Sequence, residues 1–161
     1  MTEVVFANDR LDPGQTGRGS HPAMNRLQTI DQGIATKIGY YADAIVIPAG
    51  YQQVLVSATP GIDQDGEVAD DATGQSEQAW ENVTRVLEAA GATVGDIVFT
   101  RLWLRRESDI GASLAVRKRY LTRRPASTVA VVDALERPQF LVALEVVAAI
   151  PPEEMGDRAD E

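Results

Sequence analysis

The chain predicts an α+β fold, a mixed β-sheet carrying two helices on one face, in the order β-β-β-α-β-α-β-β. Three observations predict it. Residues 75–91 carry an apolar stripe at helical spacing that stops at a glycine. Residues 97–105 alternate in the period of a strand. Residues 128–132 and 140–148 are near-continuous apolar runs, the pattern of strands buried on both faces. Two helices can cover only one face of such a sheet, so its other face calls for a partner, and self-association is the economical choice.

The elements follow in order. Val4-Val5-Phe6-Ala7 is a candidate first strand. Residues 8–37 are rich in Gly, Pro, Asn, Asp and Gln and read as a long loop or lid, which holds the only histidine, His21. Ala44-Ile45-Val46-Ile47 and Gln53-Val54-Leu55-Val56-Ser57, joined across Pro48-Ala49-Gly50, read as a hairpin. Asp71 or Thr73 is the candidate cap of the first helix. On that helix Ala79, Trp80, Val83, Val86, Leu87 and Ala90 share a face, and Trp80 is read as core.

In the next strand Val98, Thr100, Leu102 and Leu104 take the face suited to packing under helices. Phe99, Arg101, Trp103 and Arg105 take the other, which is large, aromatic and cationic. A second helix starts near Ser108 or Asp109 and runs to about Leu121, ahead of Pro125. Residues 151–161 read as an acidic tail beyond a single domain at 1–150.

Bulk properties narrow the function. The 161 residues include no cysteine, which excludes disulfides, thiolate ligands and a Cys nucleophile. One histidine and no cysteine make a metal site unexpected, and no glycine-rich phosphate loop is present, so no cofactor is called for. A net charge of −9 opposes a nucleic-acid partner. No apolar run is long enough for a membrane span and no signal peptide is visible, so the expected location is cytoplasmic. Of 15 Lys and Arg, eight fall between Arg101 and Arg124. That segment is read first as a solvated helix face with a basic loop, the alternative being a site for a small anion.

Five segments in order resemble the RidA (YjgF/YER057c/UK114) family over residues 39–150. They are Gly39-Tyr40-Tyr41-Ala42-Asp43-Ala44, Val56-Ser57-Ala58-Thr59-Pro60-Gly61-Ile62-Asp63, the helix end Leu87-Glu88-Ala89-Ala90-Gly91, Arg124-Pro125-Ala126-Ser127-Thr128, and Leu144-Glu145-Val146-Val147-Ala148. The resemblance implies a chorismate-mutase-like fold and a homotrimer with a central β-barrel and three clefts between subunits. In the deaminase branch, an Arg clamps the substrate carboxylate and a Glu positions the water that attacks an iminium carbon.

At the matching positions this chain departs from that set. Ser127 stands at the clamp and Ala143 at the glutamate, with Glu145 two residues on and on the same face. Leu114 replaces an Asn of the second helix, Ala58 replaces the Gly of the Ser-Gly turn, and Tyr41 is retained. A carboxylate without its Arg forfeits on the order of 1.5–3 kcal/mol. The candidate catalytic residues are therefore Tyr41, Ser127 and Glu145. Ala58, Thr59, Arg101, Trp103, Leu114, Thr128, Val129 and Ala143 are the candidate ligand contacts. Arg101 or Arg105 could replace the clamp, against a reading in which Arg101 pairs with an acid on a neighbouring strand.

The expected function is action on a small reactive imine or enamine metabolite in an inter-subunit cleft, specialised away from standard 2-iminoacid hydrolysis. The alternative is a non-catalytic trimer that binds a small molecule or a partner. Ribonuclease chemistry, suggested for some relatives, fits poorly with the acidic charge and the absence of a His-type acid–base pair.

Overall fold

A computed structural model describes residues 26–152. The strand expected at residues 4–7, His21 and the tail beyond residue 152 lie outside the described residues. Eight principal elements run β1 (Gln28–Ile30), β2 (Ala44–Val46), β3 (Gln52–Pro60), α1 (Ala72–Ala89), β4 (Ile97–Leu104), α2 (Ile110–Tyr120), β5 (Ala126–Val131) and β6 (Val142–Ile150). From β2 onward the type order matches the sequence reading. Among the described residues the first strand is β1, inside the stretch read as loop.

The main sheet has the order β3-β6-β4-β5. β6 is antiparallel to both of its neighbours, while β4 and β5 run parallel and are joined through α2. The last and most apolar strand therefore sits in the middle, which is why it tolerates burial on both faces. The same inference fails for β5. It is an edge strand whose one strand partner is β4, with only an isolated bridge from Ala42 to Ala126 on its other side, and its residues are half-buried or exposed. An apolar run cannot by itself distinguish a central strand from an edge strand that something else must cover.

The hairpin expected between residues 44–47 and 53–57 does not form. β2 pairs with β1, placing Thr29 opposite Ile45, and β3 pairs with β6. Gly50, at φ +90°, turns the chain between them, and the long apolar β6 offers β3 a full-length partner that the three-residue β2 cannot. Asp43 organises the small β1–β2 unit. Its carboxylate accepts the backbone N–H groups of Gln32 and Ala35, each at 2.6 Å, and of Ile34 at 3.3 Å. These bonds, that from Gln32 foremost, hold its pKa below the ordinary carboxylate value. Part of the expected lid is thus ordered around one side chain.

α1 begins where Asp71 accepts a bond from Gly74 N at 2.8 Å and is followed by Gly91 at φ +75°. Its buried stripe is Ala72, Gln75, Ser76, Ala79, Trp80, Val83 and Leu87. Val86 and Ala90, expected on that stripe, are exposed because they rotate off its line. Trp80 stacks on Tyr120 of α2 with ring centroids 5.2 Å apart and lies in the core with Leu144 and Val146.

Two polar residues missed by apolar spacing also sit there. The Gln75 amide bonds Ala69 O, Gln139 O and Leu141 N, and Ser76 bonds Ser113 of α2 at 2.9 Å. Gly61 is required where β3 leaves the sheet, since a Cβ there would stand 2.1 Å from Gln75 O. β4 divides as its alternation predicts, with Val98, Thr100, Leu102 and Leu104 buried and Phe99, Arg101 and Trp103 half-buried on the open face.

Candidate functional site

On the helix-covered side, α2 stands off the edge of the sheet and leaves a cavity of about 400 Å³. Tyr41 enters it from the chain following β1, Leu114 and Arg117 from α2, and Ser127 and Val129 from β5. Ile38, Ile110 and Leu121 complete apolar walls. Ser127 lies opposite Thr100 in the parallel register, and their hydroxyls are 3.0 Å apart. Thr100 is buried, so Ser127 is anchored on the helix side of the sheet.

On the open face, Arg101 and Glu145 stand directly opposite each other on β4 and β6. Arg101 Nη1 donates to Glu145 Oε2 at 2.7 Å, and Trp103 Nε1 donates to Oε1 at 2.8 Å. The guanidinium lies 5.2 Å from the Phe99 ring centre and 5.6 Å from that of Trp103, within cation–π range. A second hollow of about 360 Å³ gathers Ala58, Trp103, Ala143 and Glu145 with the segment containing Leu135 and Phe140.

The two hollows divide the expected site between opposite faces of one sheet. Tyr41, Leu114, Ser127 and Val129 come together, as do Ala58, Trp103, Ala143 and Glu145, but within one chain the groups do not meet. Tyr41 and Ser127 therefore do not form one catalytic set with Glu145 inside a subunit. Thr59 lines neither hollow, and its hydroxyl donates to Ser57 O at 2.8 Å. Thr128 is exposed and lies opposite Arg101 in the register.

This architecture matches known proteins closely enough to decide its lineage. A sequence model of the family described as Endoribonuclease L-PSP matches residues 34–150. The chain belongs to the RidA (YjgF/YER057c/UK114) family. A 2-iminobutanoate/2-iminopropanoate deaminase of Salmonella typhimurium is 31% identical over 90 residues, which span 56% of this chain and 69% of that protein. The crystal structure of the YjgF gene product from Escherichia coli is 28% identical and covers 75% of this chain and 97% of its own, with a TM-score of 0.58. Rv2704 of Mycobacterium tuberculosis, described as a member of the YjgF/YER057c/UK114 family, is 26% identical. It covers 78% of this chain and 100% of its own, with a TM-score of 0.57. The α+β, chorismate-mutase-like fold of the RidA family is thus the fold of this chain.

Arg101 is committed to Glu145 and does not stand free as a clamp. Arg105 lines neither hollow, and its backbone N–H bonds Leu141 O at 3.0 Å. The residue the sequence concealed is Arg117. It was one of the basic cluster read as a solvated helix face, yet it is buried, while its neighbours Lys118 and Arg119 are exposed. Arg119 pairs with Glu77 and Arg124 with Asp31. The missed signal is positional. Val116 and Arg117 follow Ser113 at helical spacing, and all three are buried. Among the described residues no helix is long and apolar enough to cross a membrane, and no cluster of His, Asp or Glu could hold a metal ion.

Proposed function

We propose that this RidA-family protein is a homotrimer whose clefts handle a small, reactive imine- or enamine-class metabolite, and that it is not a standard 2-iminoacid deaminase. One observation carries the reading: the helix-side and open-face hollows hold complementary parts of one expected site on opposite faces of the sheet. A second subunit laid against the open face would bring a helix-side half from one chain to an open-face half from another. The exposed Leu55, 75% accessible on the open face, supplies apolar surface for that contact.

The chemistry of the cleft follows from its side chains. Ser127 offers a hydroxyl where a clamping guanidinium would stand, and Ala143 offers no base. Glu145 stands nearby, but both its oxygens accept bonds, from Arg101 and Trp103. Those bonds leave only its remaining lone pairs for orienting water. The non-catalytic alternative draws support from that same saturation of Glu145.

The test is direct. Supply an iminoacid generated in situ by an amino-acid oxidase and follow semicarbazone trapping of the imine. The expected result is a rate at least about a hundredfold below that of an authentic deaminase at equal concentration, for loss of the water-activating carboxylate and of an arginine at the strand position that Ser127 occupies. Equal rates would remove the claim that Ser127 and Ala143 abolish the usual activity.

A further inference from the structure

Arg117 is only 7% exposed, and among the described residues no carboxylate forms an ion pair with it. Its Nη2 donates one long bond, 3.3 Å, to Tyr40 O, and its Nε is buried with no partner. Burial lowers its pKa from the ordinary value, yet a guanidinium keeps its proton in proteins. A buried cation left without a counter-ion is costly, and an anion entering from outside would remove that cost. No Asp or Glu lines the cavity beside it, and a second cation, Lys118, does.

The remaining walls define the visitor. Ile38, Ile110, Leu114, Leu121 and Val129 are apolar, and the volume of about 400 Å³ exceeds the needs of a very small acid. A guanidinium presents its N–H donors as a planar fork matched to the two oxygens of a carboxylate. We propose that Arg117, reaching from α2, is the carboxylate clamp of this chain in place of the strand position occupied by Ser127, and that the cavity takes a small monocarboxylate with a branched or aromatic tail. The Ser127 hydroxyl and the tyrosines at 40 and 41 then lie beside the polar end of the ligand. This deepens the cleft reading above and rests on it, naming the residue that holds the acid and the class of acid held.

The experiment measures equilibrium binding by isothermal titration calorimetry, with α-ketoisocaproate and its neutral primary amide as probes. Both are stable, so the result does not depend on turnover. The wild-type protein is expected to bind the acid at least about tenfold more tightly than the amide, the scale of one charge-assisted pair. Arg117→Gln should lose that preference, and Arg117→Lys, which keeps the charge but not the planar fork, should retain part of it. The acid-to-amide comparison needs no variant, so it stands even if a substitution disturbs folding. Equal binding of acid and amide by the wild-type protein, no binding of the acid, or unchanged acid binding by a folded Arg117→Gln protein would overturn the assignment. Any of those results would leave a cleft for neutral imines untouched, whereas loss of imine chemistry alone would not affect the clamp.

Discussion

The two faces of the sheet treat their polar groups in opposite ways. Under the helices, Gln75, Ser76, Thr100 and Ser113 are buried and each finds a partner within the chain. On the open face, Arg101, Glu145 and Trp103 satisfy one another while half-exposed, and Leu55 is left to solvent. The first face is closed by the chain itself, apart from Arg117. The second is a polar arrangement set in an unfinished apolar surface, and it leaves the buried Arg105 Nε without a partner. Stability is concentrated where helices remove apolar area from water. Capacity for ligands and partners stays where a requirement is left unmet, at the orphan guanidinium on one side and the uncovered strands on the other.

The contrast makes unequal predictions for mutations. Trp80→Ala removes the ring that packs between α1, α2 and β6, and should lower unfolding free energy by about 3–5 kcal/mol in urea denaturation. A loss below about 1 kcal/mol would break the claim that the helix-covered face holds the fold. The Arg101–Glu145 pair should contribute far less. It is substantially exposed, with side-chain accessibilities of 38% and 29%, so a double-mutant cycle with Arg101→Met and Glu145→Gln should give a coupling of roughly 0.2–1 kcal/mol. A coupling well above that range would mean that the open face is also a stabilising core.

The order of elements from β2 onward and the faces of β4 were legible in the sequence because strict alternation and a capped helix have few competing explanations. Asp71 as N-cap and Gly91 beyond the helix end were likewise readable from residue type. What escaped was relational. The pairing of β3 with β6 in place of β2 depends on which strand offers the longer apolar partner, and sequence distance carries no trace of that. The edge position of β5 was hidden for the same reason.

At the site, the family positions identified Tyr41, Leu114, Ser127 and Ala143, but not that they fall into two groups on opposite faces. Arg117 was visible only as one charge in a basic run. Its burial comes from α2 turning that single residue inward while Lys118 and Arg119 turn out. Helical spacing from Ser113 was the one available clue, and the run of charge obscured it.

The central claim is that neither face of one chain holds a complete site and that a second subunit completes it. Light scattering on the purified protein at micromolar concentration tests this most directly. The account predicts a particle of three times the 17.4 kDa chain mass, and a particle of a single chain mass would contradict it.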